Sequence, residues 1–292
     1  MTRPDGFTAY WDRLEADLTR LEPRCVTEPM PRHSTEDFTV HALRMTSVGP
    51  YRTFGYLSVP AGRGPFPAVL ETPRYGSVNP VPDYNDRMRY VVLTLMHRGQ
   101  RLADETFAAE YPGLLTLGID DPETYVYRGI VADSVRGADV LLALPEVDPD
   151  RVAVVGDDLA LITAAFRPTI GTVRSGWPMF YRLAEARRRT LEYPMQELND
   201  LLRARPDRGA GVEATLALFD PIHHAPSVRA TTLIVEGDDP DWMTPLREAV
   251  AGPVEGYRLS HEGGTDTDRL DAWLAGRMGV APMTKFQGKV TA

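Results

Sequence analysis

The sequence has few of the features that mark several specialised classes of protein. It contains one cysteine, Cys25, which excludes an internal disulfide and a CxxC metal knuckle. No apolar run approaches the roughly 18 residues of a membrane-spanning helix. The opening residues carry acids and lack the apolar core of a secretory signal, so we expect a cytoplasmic protein. No glycine-rich phosphate loop or GxGxxG motif is present, and we expect no cofactor.

Positive charge is scarce and comes almost entirely from arginine. The two lysines are Lys285 and Lys289, and a net charge of −9 argues against a nucleic-acid-binding groove. The densest basic run, residues 187–189, has Glu185 and Glu192 at salt-bridge spacing, which favours a solvated helix face. An apolar share of 43% and a charged share of 25% are typical of globular domains and exclude intrinsic disorder. The expected partner is therefore a small molecule, not a nucleic acid or a membrane.

Hydrophobic periodicity predicts an α/β protein. Residues 7–21 repeat apolar side chains at helical spacing, and several short strands follow them. Residues 90–96 and 151–155 are continuous apolar runs, which are typical of strands buried on both faces of a parallel sheet. Helical patterns alternate with these strands to the end of the chain. This order predicts a mostly parallel central sheet with helices on both faces and the early antiparallel strands at one edge.

The same patterns predict one domain over residues 1–280. Residues 1–24 form an N-terminal helical segment of that domain. Residues 177–210 are rich in arginine and interrupted by prolines, and we expect them to form a helical insertion over the site. Residues 281–292 have no periodicity, which predicts a mobile tail.

The most informative motif lies where a buried strand turns directly into a helix. Residues 156–160 read Gly-Asp-Asp-Leu-Ala, with small residues at both ends of the turn. Such a turn is the nucleophile elbow of α/β hydrolases, in which the central side chain is forced up at the mouth of the sheet. Asp158 occupies the central position, where a serine is expected.

Four segments carry a resemblance to a known family. Residues 111–158, Arg-Gly-Gln at 98–100, FDPIHHA at 219–225 and HEGG at 261–264 resemble the acetylxylan esterase/cephalosporin-C deacetylase family. The likeness extends from about residue 7 to residue 278. It implies the α/β-hydrolase fold, removal of acetyl groups from small sugars and cephalosporins, and assembly into hexamers.

The resemblance also implies roles for individual residues. His261 falls on the catalytic histidine and Asp158 on the nucleophilic serine. Tyr75 and Leu159 fall on the residues whose backbone N–H groups form the oxyanion hole. The acid of the triad falls on Asp241, which lies four residues before Pro245 as the acid of the family lies before its proline. Asp239 is the alternative assignment.

An aspartate at the elbow changes the expected chemistry. It is expected to be ionised at pH 7 beside a helix N-terminus and to form a row of Asp158, His261 and Asp241 around an imidazolium. A carboxylate about 4 Å from a developing oxyanion repels it by around 4 kcal/mol at a moderate effective dielectric. The sequence therefore predicts that ordinary acetyl esters are poor substrates.

Three functions remain open. In the first, Asp158 and His261 act as an acid–base pair in a non-hydrolytic step, such as elimination or cyclisation of a natural-product intermediate. In the second, Asp158 is a nucleophile at a saturated carbon, with Trp177 and Trp242 as donors to the leaving group. In the third, the site is catalytically dead and the fold binds a ligand or a partner chain.

Other histidines and aromatic residues have simpler interpretations. His223 and His224 are adjacent with no acid at i+4, so we expect a structural role and no metal site. His97 ends a buried strand and could reach the site, although a satisfied core histidine is the favoured interpretation. Tyr125 and Tyr127 are interpreted as packing residues.

Overall fold

The computed structural model describes residues 2–76 and 81–286, and within them nine strands form one sheet. The strands are β1 Val26–Pro29, β2 Phe38–Ser47, β3 Tyr51–Pro60, β4 Phe66–Glu71, β5 Val91–Met96, β6 Val147–Gly156, β7 Thr172–Ser175, β8 Thr231–Glu236 and β9 Val254–Arg258. The α-helices are α1 Phe7–Arg20, α2 Tyr84–Arg89, α3 Val126–Leu142, α4 Asp158–Phe166, α5 Leu183–Ala186, α6 Met195–Ala204, α7 Gly209–Phe219, α8 Pro240–Ala249 and α9 Gly263–Met278. In this part of the chain, none of the helices is both long and apolar enough to cross a membrane.

The strand order confirms the predicted mostly parallel sheet. It runs β1-β2-β3-β5-β4-β6-β7-β8-β9. The pairs β1/β2, β2/β3 and β3/β5 are antiparallel, and every pair from β5/β4 to β8/β9 is parallel. The early antiparallel strands therefore lie at one edge, and the carboxyl ends of the parallel strands meet at a common edge.

The central strands are buried on both faces, as their continuous apolar runs predict. All six residues of β5 are buried. In β6, Val152 and Val154 belong to the core that α3, α4 and α8 cover. The alternate residues Ala153 and Val155 pack with Leu274 of α9 on the opposite face. This two-sided burial aligns the end of β6 with the helix that follows it.

The segments outside the central layers pack onto the same body. In α1, the Trp11 indole donates to the Leu218 carbonyl at 3.1 Å, which ties the N-terminal segment to α7. Residues 177–210 contain α5 and α6 and line the cavity at the end of β6.

The part of the predicted mobile tail that is described, residues 281–286, is held by hydrogen bonds. Lys285 and Phe286 donate backbone N–H groups to the Asp268 carboxylate at 2.7 and 2.8 Å. Met283 donates its N–H to Asp271 at 2.8 Å. Residues 283, 285 and 286 of the tail are therefore bound to side chains of α9. Residues 287–292 lie outside the described part of the chain.

The turn from β6 into α4 is tight but is not strained in the way that a hydrolase elbow is. A Cβ on Gly156 would lie 1.9 Å from Thr72 Oγ1, so only glycine fits there. The next residue, Asp157, precedes α4 with φ −104° and ψ −125°. The described non-glycine residues with positive φ lie elsewhere in the chain: Arg24, Leu102, Arg182 and His261. The turn therefore does not force Asp158 upward through a left-handed backbone.

Replacing Gly156 with alanine tests how closely β4 and the turn approach each other. Because the new methyl group would overlap Thr72, we expect Gly156→Ala to lower the free energy of unfolding by about 1–3 kcal/mol or more. The matched control is Gly276→Ala inside α9, where no atom lies within 4 Å of the added Cβ. This control should raise stability by about 0.5–1 kcal/mol. Urea unfolding of both variants measures the difference, and equal effects would contradict the close approach.

Candidate functional site

A cavity of about 450 Å³ lies at the carboxyl end of β6, and we call it the inner chamber. Its lining combines the β6–α4 turn with the loop after β4, the end of β5, α3 and the insertion. The lining residues are Pro73, Arg74, Tyr75, His97, Tyr127, Ile130, Asp157, Asp158, Leu159, Trp177, Met179, Phe180, Glu192, Tyr193, Pro194 and Met195. Carboxyl, imidazole and phenol groups thus share one cavity with apolar walls, as is typical of small-molecule sites.

The Asp158 carboxyl is buried and held by backbone donors. Its Oδ2 accepts the Met179 N–H and its Oδ1 accepts the Phe180 N–H, both at 2.8 Å. Only 4% of the residue is exposed. Burial raises the pKa of Asp158 well above its usual value, and the neighbouring Asp157 carboxyl raises it further, against the two N–H groups. Burial and the Asp157 carboxyl therefore oppose the permanent negative charge that the sequence predicts for Asp158.

His261 lies apart from Asp158. Its side chain is 65% exposed, and its Nε2 lies 2.8 Å from Asp238 Oδ1. The hydrogen bonds among the described residues include none between His261 and Asp158. His261 is also absent from the lining of the inner chamber. The row expected from the sequence, in which the imidazole bridges two carboxylates, is not formed.

The acid beside His261 is neither of the two aspartates predicted from the spacing. Asp241 is exposed in the first turn of α8. Asp239 caps α8 by accepting the Trp242 N–H and pairs with Arg189 at 3.2 Å. The spacing to a proline predicted Asp241. In the structure β8 ends at Glu236, and the short connection from β8 to α8 brings Asp238 to the histidine. The partner of His261 is Asp238.

Tyr75 is anchored by its side chain. Its hydroxyl donates to the Glu197 carboxylate, which also accepts the Gly113 N–H at 2.8 Å and the Leu115 N–H at 3.2 Å. Glu197 lies on α6 and is 7% exposed. One carboxylate therefore joins the insertion to the loop after β4. Glu197 was not predicted as a site residue, and its only signal in the sequence is an acid at a buried position of an amphipathic helix.

The remaining predicted residues lie around two adjacent cavities. Leu159 lines the inner chamber, and Trp177 lines both that chamber and a second cavity beside it. Trp242 lines only the second cavity, with the Arg182 guanidinium 3.9 Å and the Arg189 guanidinium 4.5 Å from its ring centroid. These contacts place Trp242 outside the inner chamber, so it is not a donor beside Asp158.

His97 is the histidine that the inner chamber contains. Its Nδ1 lies 2.7 Å from the Arg98 carbonyl oxygen, which can only accept, so Nδ1 carries the proton. Its Nε2 is then an acceptor, and the Tyr111 hydroxyl donates to it at 3.3 Å. Burial lowers the pKa of His97 to about 4, which keeps the ring neutral at pH 7. Its place at the end of β5 was the one sequence signal for this position.

The Arg-Gly-Gln motif at residues 98–100 holds two parts of the chamber lining in place through hydrogen bonds. Arg98 makes two side-chain hydrogen bonds, of 2.7 and 3.0 Å, to the fully buried Asp133 carboxylate on α3. Gln100 donates to the carbonyls of Arg74 at 3.2 Å and Gly76 at 2.7 Å, and it accepts the His97 N–H at 2.9 Å. The motif therefore fixes both His97 and the loop that carries Tyr75.

His223 and His224 pack against α1. The rings of Phe7 and Trp11 lie 4.9 and 5.0 Å from the His224 ring. Burial lowers the pKa of His224 to about 3. Within residues 2–76 and 81–286, no group of three or more potential ligand side chains is arranged to hold a metal ion.

The chain matches the family model for acetyl xylan esterase over residues 1–248. The chain belongs to the acetyl xylan esterase family. It is 27% identical over 202 residues to the acetyl esterase Axe7A of Xylanibacter ruminicola, which covers 62% of this chain and 45% of that protein. The match thus spans less than half the length of this curated relative.

Two solved acetyl xylan esterases share the fold. The enzyme from Paenibacillus sp. R4 has a TM-score of 0.83 and 21% identity, covering 94% of this chain and 96% of that one. Acetyl xylan esterase 1 from Thermoanaerobacterium sp. JW/SL YS485 has a TM-score of 0.80 and 20% identity, covering 94% and 95%. These similarities confirm the predicted α/β-hydrolase fold. Self-association stays a prediction.

The burial of Asp158 has a measurable effect on the pH dependence of stability. A carboxyl whose pKa is raised by folding stabilises the protein below its unfolded pKa of about 3.9 and loses that contribution as pH rises through the folded pKa. We therefore expect wild type to lose stability relative to Asp158→Asn as pH rises above about 4, by up to about 1.4 kcal/mol per pH unit. Urea unfolding from pH 5 to pH 8 measures this slope.

The control is Asp12→Asn, which changes an exposed carboxylate on α1. Its profile should run parallel to that of wild type. If the Asp158→Asn profile is also parallel to wild type, the shifted pKa of Asp158 is wrong.

Proposed function

We propose that the chain has lost the serine route to acetyl ester hydrolysis and keeps the inner chamber as a site for a small uncharged molecule. One observation carries the proposal. The Asp158 carboxyl, with both oxygens bound to the N–H groups of Met179 and Phe180, stands where the family resemblance places the attacking serine. The relatives are named for acetyl xylan and acetyl esters, and on this proposal such esters are poor substrates here.

Ester hydrolysis by the serine route needs a hydroxyl and a histidine that takes its proton. Asp158 supplies no hydroxyl, and His261 bonds to Asp238 at an exposed position. Neither the nucleophilic hydroxyl nor the histidine that would take its proton is therefore found at this position. Charge repulsion carries less weight, because the pKa of Asp158 is shifted toward the neutral carboxyl, which repels an oxyanion less than a carboxylate does.

Attack by Asp158 on a saturated carbon has less support. That reaction needs a charged carboxylate with a free oxygen and a histidine that activates water. The surroundings of Asp158 favour the neutral carboxyl, and each oxygen already accepts an N–H group.

The inner chamber suits a neutral ligand. Burial raises the pKa of both Asp157 and Asp158, and it lowers that of His97. The pKa shifts of these three groups are all in the direction of the neutral form, which can donate or accept hydrogen bonds without a counter-charge. The lining also contains Arg74 and Glu192, one side chain of each sign. The walls between them are formed by aromatic and aliphatic side chains, among them Tyr127, Ile130 and Phe180.

Changing Asp158 to serine tests whether the site lacks only a nucleophilic hydroxyl or also lacks a histidine that can take its proton. Because His261 is placed elsewhere, we expect Asp158→Ser to hydrolyse p-nitrophenyl acetate within about tenfold of wild type, since the general base that it lacks contributes about 10²- to 10⁴-fold. Asp158→Ala is the control for any background activity. Wild-type turnover that disappears in Asp158→Ala would overturn the proposed function, and a large gain in Asp158→Ser would place His261 within reach.

A second candidate function, proton transfer on the bound molecule, is favoured by the two groups that share the chamber. Asp158 in its protonated form is a donor, and the His97 Nε2 lone pair is an acceptor. On a carbonyl compound, His97 would take the proton from the α-carbon while Asp158 gives its proton to the carbonyl oxygen, which yields a neutral enol. The acid–base partner of Asp158 is then His97 instead of His261.

Deuterium exchange tests this second candidate without a known substrate. We expect wild type to accelerate exchange of the carbon-bound protons of dihydroxyacetone in D₂O, followed by proton NMR. His97→Gln and Asp158→Asn should each lower the rate by about 10²-fold or more. His223→Gln, outside the chamber, should exchange like wild type. Equal rates with and without protein would restrict the function to binding.

A further inference from the structure

A second cavity, which we call the outer chamber, adjoins the inner chamber and has a volume of about 290 Å³. Four residues line both cavities: Trp177, Met179, Glu192 and Met195. Two cavities that share a wall of side chains can receive two parts of one ligand. A molecule bound above Asp158 that is longer than the inner chamber would extend past Trp177.

The walls of the outer chamber are aromatic and thioether groups. Trp177, Tyr181, Trp242 and two methionines supply most of its apolar lining. Trp242 already has two arginine guanidiniums near its ring. Trp177 packs against Gly237, where a Cβ would lie 2.6 Å from its ring, and 41% of its surface stays exposed. The aromatic surface open to a ligand is therefore that of Trp177.

The charged groups of the outer chamber are three carboxylates, Glu192, Asp238 and Asp239, and one guanidinium, Arg189. Asp239 pairs with Arg189, and Asp238 pairs with His261. Among the described residues, the Glu192 carboxylate has neither an ion pair nor a hydrogen bond. Glu192 and Trp177 are both exposed and line the same cavity. A carboxylate and an open indole in one cavity can together recognise an organic cation.

We propose that the outer chamber binds an alkylated ammonium group, with the Trp177 indole and the Glu192 carboxylate as its recognition groups. The full ligand then has a neutral part above Asp158 and a cationic end beyond Trp177. This assignment rests on the proposed function, since it describes the other half of the same ligand. It extends the ligand class beyond acetylated sugars.

A matched pair of probes separates charge from shape. Choline and 3,3-dimethylbutan-1-ol have the same size and hydroxyl group and differ in the charge at the branched end. We expect wild type to bind choline about tenfold more tightly, which corresponds to a cation–aromatic and ion-pair contribution of ordinary size. Titration followed by the methyl proton NMR signal of each probe measures both dissociation constants.

Variants assign the preference to named residues. Glu192→Gln and Trp177→Leu should each reduce the choline preference by threefold or more. Glu248→Gln, an exposed carboxylate on α8 outside both linings, is the matched control and should keep it.

Each result decides a different point. Equal affinity for the two probes, or a preference that survives Glu192→Gln, would overturn the cation site. Neither result bears on ester hydrolysis, which the Asp158→Ala comparison with p-nitrophenyl acetate decides separately. A preference that is lost in Glu192→Gln and kept in Glu248→Gln would establish the site.

Discussion

The site depends on one interaction, the burial of the Asp158 carboxyl between the N–H groups of Met179 and Phe180. A carboxyl removed from water favours its neutral form unless enough donors compensate the charge. Two N–H groups at 2.8 Å reduce that cost, but the Asp157 carboxyl beside it works in the opposite direction. The residue at the end of β6 thus becomes a hydrogen-bonding group that links the elbow to the loop after β7.

That link has consequences for the rest of the chamber. Because the N–H groups of residues 179 and 180 bind Asp158, the start of the insertion is drawn over the end of the sheet. The Glu197 carboxylate does the same from the other side, by joining α6 to Tyr75 and to the loop around Gly113. Two buried carboxyls therefore hold the insertion in place, and the chamber beneath it contains His97 and lacks His261.

The family membership is compatible with an aspartate at position 158. The acetyl xylan esterase fold supplies a sheet whose carboxyl ends meet above a cavity, and side chains there can change without changing the sheet. The Arg98–Asp133 pair and Gln100 keep the loops in place independently of the chemistry. These contacts support the loops around the chamber without involving Asp158, in a chain that matches the family model over residues 1–248.

The sequence alone determined the parallel sheet, its antiparallel edge and the elbow after β6, because strand burial and turn chemistry are local and periodic. It also directed attention to Asp158 in the elbow and to Tyr75 in the loop after β4, both of which line the inner chamber. The tertiary structure decided their burial and their hydrogen-bond partners. The charge of Asp158 depends on donors 21 and 22 residues away, and the partner of His261 depends on how the loop after β8 folds. Burial and long-range hydrogen bonds set a pKa, and neither can be counted along a chain.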